Sequence, residues 1–190
     1  MHDIGFIGGK LYINGEFVKK NLFVRAGRIS SISSHTETCG EFYDATGAKI
    51  IPGLIDPHVH FELNAGGRVS VDGFKSGSVS AAYGGITTFF DFLDPVSKAR
   101  DLAAALDVRK RHAKDSAVNY MFHATVANPV GETEGIAMEM KNLGLDTVKL
   151  FTTYSESGRR TYDPEILELL NLSKKMGFMV LVHAENDDVV

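Results

Sequence analysis

The chain has 190 residues, 44% of them hydrophobic and 23% charged, with a formal net charge of −4. That composition is ordinary for a globular protein. It contains no apolar run of about 18 residues to cross a membrane and no basic tract to hold nucleic acid.

Residues 1–50 read as short strands separated by turns. Gly5–Ile7, Lys10–Ile13, Phe17–Val18, Leu22–Val24 and Arg28–Ile32 are the strand candidates, and Asn14-Gly15 is a strong hairpin turn. Ala26-Gly27 is a second tight turn. A small antiparallel sheet is expected, with residues 33–49 as a polar loop leading to a last short strand. Cys39 is the single cysteine, so no internal disulfide is possible, which fits a reducing cytoplasm. Met1-His2-Asp3 has no signal-peptide pattern.

From residue 50 the rhythm changes. Ile50 to Val59 is apolar and strand-like. Asp72 to Tyr83 has helical period, with Phe74, Val79 and Ala82 apolar, and stops at Gly84-Gly85. Ile86–Phe92 is a buried strand, and Ser97 to Ala113 a helix that Ser97 can cap. Ala117–Val126 is a strand, Glu132–Leu143 a helix ending at Gly144, and Thr147–Phe151 a strand. Asp163-Pro164 opens a helix whose Ile166, Leu167, Leu169, Leu170 and Leu172 are expected to face the core. Gly177 ends it, and Phe178–His183 is a fifth strand. Alternating strands and helices with near-continuous apolar strands mean parallel β/α units. A closed (β/α)₈ barrel needs eight strands and typically about 250 residues, whereas a doubly wound sheet can finish with five. The absence of a G-x-G-x-x-G motif weakens a nucleotide-binding version.

Catalytic groups of β/α barrels sit at the C-terminal ends of strands. His58 and His60 end the first of these strands, and on an extended chain their imidazoles point the same way. Converging neutral imidazoles grip transition metals. Asp91 and Asp94 end or follow the second strand and are read as supports of the next loop. His123, late in the third, is read as structural. Lys149 lies inside an apolar strand, where an ammonium is costly unless neutralised or paired. His183 ends the fifth strand. Each has a bland reading alone: a structural histidine pair, a snorkelling lysine, a core histidine bonded to a carbonyl. Four metal-capable groups at the same ends of three strands favour a metal site. His2, His35 and His112 are read as surface residues.

Ile51-Pro52-Gly53-Leu54-Ile55-Asp56-Pro57-His58-Val59-His60 closely resembles the opening barrel strand of the cyclic amidohydrolases. Val148-Lys149-Leu150-Phe151 followed by Tyr154 is similar to their modified-lysine segment, and His183-Ala184-Glu185-Asn186 to their fifth-strand motif. Gly84-Gly85-Ile86-Thr87-Thr88 also matches. The likeness runs through essentially the whole chain in order, and within the family it points to hydantoinases and dihydropyrimidinases. It implies an α/β fold: the first five strands of a (β/α)₈ TIM-like barrel over residues 53–190, plus the N-terminal half of a small β-sandwich over residues 1–52.

The resemblance also implies two divalent metal ions, usually Zn²⁺. His58, His60 and His183 match metal-binding histidines, and Lys149 matches the lysine carboxylated by CO₂ to bridge the metals. Two cations about 3.5–4 Å apart need an anionic bridge, and together they turn water into a hydroxide that attacks the ring amide carbon. Tyr154, otherwise a packed loop aromatic, would stabilise the oxyanion. The implied substrate is a small cyclic amide or ureide, a hydantoin or dihydropyrimidine opened to an N-carbamoyl amino acid. The implied setting is a cytoplasmic homotetramer with no membrane or nucleic-acid partner.

Relatives acting on dihydroorotate carry an Arg two residues after the H-x-H, where this chain has Glu62, which should repel a carboxylate. Glu62, Leu63 and Asn64 are assigned to the substrate loop. Asn64-Ala65 departs from the Pro-aromatic pair usual in hydantoinases, so the side-chain preference is open. Allantoinase is an alternative, since allantoin is a substituted hydantoin. An alternative of another class is a dihydropyrimidinase-like scaffold, against which stand the four intact ligand positions. A third is an open α/β binding module with one metal. The family's sixth-strand His and eighth-strand Asp, the general base, have no counterpart in these residues. The chain is therefore expected to be the N-terminal part of a longer enzyme and inactive by itself.

Overall fold

Asn14 and Gly15 both take positive φ, 49° and 90°, the geometry of the tight hairpin turn that suits the right-handed twist of its strands. They join β2 (Lys10–Ile13) to β3 (Glu16–Lys19), which follow β1 (His2–Ile7). Ala26 and Gly27 do the same between β4 (Asn21–Arg25) and β5 (Arg28–Ser33). The computed structural model of the protein describes residues 1–65 and 67–190, and the chain divides into two units, Met1–Gly53 and Leu54–Val190.

The first unit is not the single antiparallel sheet expected. It has two sheets, ordered β5-β4-β1-β6 and β3-β2-β7. β6 (Cys39–Asp44) and β7 (Lys49–Ile50) pair parallel to β1 and β2. The supposed loop at 33–49 thus contains a six-residue strand. Its Gly40, Glu41 and Asp44 hid it, because only Cys39 faces inward while the rest is exposed. Gly5 is what admits that cysteine: a Cβ there would lie 2.9 Å from both Cys39 Sγ and the Phe23 ring.

In the second unit the expected strand from Ile50 to Val59 is interrupted. β8 covers only Leu54–Asp56, since Pro52 and Pro57 have no N–H to give a ladder. A short hairpin, β9 (Asn64–Ala65) and β10 (Arg68–Val69), precedes α1 (Phe74–Tyr83). Then come β11 (Ile86–Phe92), α2 (Leu102–His112), β12 (Asn119–Thr125), α3 (Thr133–Asn142), β13 (Thr147–Phe151), α4 (Asp163–Met176) and β14 (Met179–His183). The sheet order is β14-β13-β12-β11-β8, all parallel. Every strand lies beside its neighbour in the chain, so there is no point at which the order reverses, as there would be in a doubly wound sheet. This is the winding of the first five units of a (β/α)₈ barrel. Both edge strands carry exposed apolar side chains, Ile55 on β8 and Met179 on β14.

Two helix expectations are corrected. Ser97 does not cap α2. Its Oγ donates to the Ala127 carbonyl at 2.5 Å, and the helix is entered through a 3₁₀ turn at Ala99–Asp101. On α4, Leu169 is fully buried, with Ile166 and Leu172 packed against the same core, but Leu167 and Leu170 are 62% and 47% exposed. At 3.6 residues per turn, positions 166, 169 and 172 share a stripe that 167 and 170 do not. Val79 of α1 is likewise exposed. Leu169→Ala is expected to cost about 2–5 kcal/mol, and Leu170→Ala less than about 0.5 kcal/mol, as read from urea unfolding midpoints. Equal costs would refute the face assignment.

Candidate active site

A cavity of about 570 Å³ lies against the C-terminal side of the parallel sheet. His58, His60, Lys149, Tyr154 and His183 all line it, as do Glu62, Leu63 and Asn64. All of the predicted site residues are therefore on one cavity.

His58 and His60 lie beyond the end of β8, not on it, yet they converge. The segment is pinned on several sides. Asp56 Oδ1 accepts from the His58 N–H at 3.1 Å, and the Phe90 carbonyl accepts from the Val59 N–H at 3.0 Å. The Phe92 ring lies 4.6 Å from each imidazole and stacks on that of His60. The two Nε2 atoms end 3.2 Å apart. Burial, then His58 and Lys149, push His60 down to about 4. Burial and Lys149 also lower His58. Both imidazoles are thus kept unprotonated, the form that binds a metal.

Lys149 is 7% exposed. Among the described residues its Nζ has no ion-pair or hydrogen-bond partner; it lies 5.8 Å from the Phe92 ring centre and 5.6 Å from that of Phe151. Burial lowers its pKa, favouring the neutral amine, which is a nucleophile. The strand period places it here. Val148 and Leu150 face the helices in the main core, and the residue between them faces the cavity.

His183 ends β14, with Nε2 3.2 Å from the Tyr154 hydroxyl and in close contact with Glu185 Oε1. Tyr154 sits in the left-handed region, φ 70°, and its hydroxyl donates to Glu185 at 3.3 Å. Burial, then the Glu185 charge, raise its pKa, so it is a protonated donor. Glu185 was not singled out from the sequence, although it lies two residues from His183.

Glu62 also has positive φ, 52°, and accepts from His112 Nδ1 at 2.6 Å. His112, read as a bland surface residue, is thus tied to the loop that carries Glu62. His123 is structural as expected: its ring nitrogens meet Thr147 Oγ1 at 2.5 Å and the Pro57 carbonyl at 2.8 Å.

Asp91 is corrected. Rather than supporting the next loop, it is fully buried and accepts from Arg109 Nη2 at 2.6 Å. Arg109 was missed, although a signal existed. It shares the buried face of α2 with Leu102 and Leu106 at helical spacing, so it is a charge on a core stripe.

Among the described residues no group of three or more His, Cys, Asp and Glu side chains is placed to hold one ion. What is assembled is two converging neutral imidazoles, a desolvated unpaired amine and a third imidazole on the same wall. These are borderline nitrogen donors, and they fit a divalent transition metal better than Mg²⁺ or Ca²⁺, which prefer oxygen.

Consecutive parallel β/α units with titratable groups gathered at their C-terminal side define a barrel-type enzyme fold. The chain belongs to the amidohydrolase family, whose profile matches residues 50–189. It is 33% identical to the D-hydantoinase of Geobacillus stearothermophilus, over 95% of this chain and 40% of that protein. It is 34% identical to the dihydropyrimidinase of Dictyostelium discoideum, over 96% of this chain and 37% of that protein. The crystal structure of the dihydropyrimidinase from Brevibacillus agri NCHU1002 superimposes with a TM-score of 0.90 at 30% identity, covering 100% of this chain and 41% of that one. The chain spans about 40% of the length of the relatives it matches.

Burial pushes Asp91 up to about 6, outweighing the opposing pull of Arg109. A carboxyl whose folded pKa is raised contributes stability when protonated, and that contribution is lost as pH rises through the folded value. The stability of the protein, measured against Asp91→Asn, is therefore expected to fall between about pH 4 and 6, by at most about 3 kcal/mol. Urea unfolding of both proteins across that range checks it; parallel curves would show that Arg109 cancels the burial.

Proposed function

We propose that these residues form the metal-binding half of a cyclic amide hydrolase site that opens a hydantoin or dihydropyrimidine ring to an N-carbamoyl amino acid. The observation that carries the reading is the His58–His60 pair facing the same cavity as the buried Lys149, which has no partner among the described residues.

In this reading His58, His60 and His183 hold two divalent ions, with Zn²⁺ the best match to the donor set. Bound there, such ions would supply Lewis acidity and lower the pKa of a water toward neutrality. The Lys149 amine adds to CO₂, forming an N–C bond and releasing one proton, and becomes a carbamate. That would convert an isolated base into an anionic oxygen donor for the cations. Phe92 and Phe151 keep the amine desolvated, and so deprotonated enough to react. Tyr154 donates its hydroxyl hydrogen to the ring carbonyl oxygen as negative charge develops there. For that it must turn from Glu185 and His183, which it touches here. Glu62, Leu63 and Asn64 shape the wall that meets the substituent of the ring. The setting, a cytoplasmic homotetramer, rests on the family resemblance; among the described residues no helix is long and apolar enough to cross a membrane.

The chain is expected to bind Zn²⁺ in bicarbonate buffer, and ¹³C-labelled bicarbonate to give a carbamate resonance that Lys149→Arg lacks. No zinc uptake by the parent protein would refute the reading. In the enzyme that contains these residues, Tyr154→Phe is expected to lower kcat for hydantoin or dihydrouracil by about 10²–10³-fold. An unchanged kcat would remove Tyr154 from the oxyanion role.

A further inference from the structure

We propose that Arg109 is a positioning residue for the His58–His60 pair, acting through the Phe61 carbonyl with Asp91 as its buried counter-ion. The proposal rests on the metal-site reading above.

An arginine on the core stripe of a helix is expensive. Arg109 and Asp91 are 7% and 0% exposed at their side chains, and desolvation of both ions offsets much of their attraction. Among the described residues Arg109 Nε is buried with no hydrogen-bond partner. A pair retained only for stability would be matched by two apolar side chains of similar volume. This pair does something apolar side chains cannot do. Nη2 of Arg109 donates to Asp91 Oδ2 at 2.6 Å and to the Phe61 carbonyl at 2.8 Å. Phe61 directly follows His60.

The two ends of the pair fix the two surfaces between which the imidazoles are held. On one side, residue 61 is anchored twice. Its carbonyl is held by Arg109, and its ring is seated over Gly77 of α1, where a Cβ would lie 2.0 Å from the ring. The same ring meets Phe74 and Phe89 edge-on at 5.6 and 5.1 Å. On the other side, Asp91 Oδ1 accepts from the Phe92 N–H at 2.7 Å, and Phe92 is the aromatic platform under both imidazoles. One guanidinium–carboxylate contact therefore sets the spacing between the backbone after His60 and the ring beneath it. A shift of either would move the Nε2 atoms off a common point. Outer residues that orient metal ligands typically contribute about 10–100-fold to metal affinity.

The test uses the double variant Asp91→Leu/Arg109→Met, which keeps volume and removes both charges. Zn²⁺ affinity is read by chelator competition, and amide hydrogen exchange of Val59 in the metal-free protein. The expected result is a melting temperature near that of the parent, a zinc affinity lower by about 10–100-fold and faster exchange at Val59, with Phe89 unchanged. Leu102→Ala, which loosens the same helix without touching the pair, is expected to lower the melting temperature and leave the affinity of the folded protein as it was. If the double variant does not fold, Arg109→Lys, which keeps the charge but loses the planar fork, gives the same comparison. Parent-like affinity and Val59 exchange in the variant would overturn the proposal, as would an equal affinity loss in Leu102→Ala. A parent that binds no zinc overturns the metal-site reading instead, and Val59 exchange then decides the positioning role alone.

Discussion

Desolvation of basic nitrogens on one side of a parallel sheet is the constraint on which the rest of this site depends. His58, His60, His123 and Lys149 are all pushed toward their neutral forms, with burial the first cause for each. In water a lysine amine is protonated and neither nucleophilic nor a ligand. Here it lies near the Phe92 and Phe151 rings, with no anion paired to it among the described residues. The groups also act on one another: the Lys149 charge disfavours protonation of both imidazoles. A set of bases that disfavour one another's protonation keeps its lone pairs available, which is what the proposed metal site requires. The same burial applied to an acid gives the opposite shift, and Asp91 rises to about 6. The structure meets that second cost with the Arg109 guanidinium.

The fold supplies this environment through strand period and aromatic packing. Val148 and Leu150 anchor β13 in the core, which commits Lys149 to the opposite face. Phe92, the last residue of β11, closes the floor under His58 and His60 and also packs on His123. Gly77 belongs to the same construction. In mid-helix a glycine costs roughly 1 kcal/mol relative to alanine, and here the missing Cβ makes room for the Phe61 ring. Local helix stability has yielded to the placement of the residue after His60.

Much of this was legible in the sequence because apolar surroundings expose a misplaced charge. Lys149 stands out inside Thr147-Val148-Lys149-Leu150-Phe151, and its burial follows from its neighbours. The H-x-H was read as converging, correctly, but by strand alternation, whereas Pro57 ends the strand and side-chain and backbone contacts do the orienting. Arg109 obeyed the same rule as Lys149 and was missed, since on a helix its apolar neighbours are three to seven residues away rather than adjacent. Its partners, Asp91 and the Phe61 carbonyl, are 18 and 48 residues distant in the chain, and no local pattern reports such a contact. β6 was missed for the opposite reason: five of its six residues are exposed, so it has almost no apolar period to read.

The structure also changes what Glu62 implies for the proposed substrate. Taken alone, its carboxylate argues against a ring bearing a negative group. Its Oε2 lies 2.6 Å from His112 Nδ1, so the carboxylate is already engaged by an imidazole from α2. Arg159, on the loop that follows β13, lines the same cavity. In the proposed reading, the wall that would face the ring carries Glu62 and Arg159 together with Arg109 and Lys149. The group that engages Glu62, His112, lies 50 positions away on α2. Charge identity at one loop position is an incomplete guide when its partner comes from another element, and here α2 supplies partners to both Asp91 and Glu62.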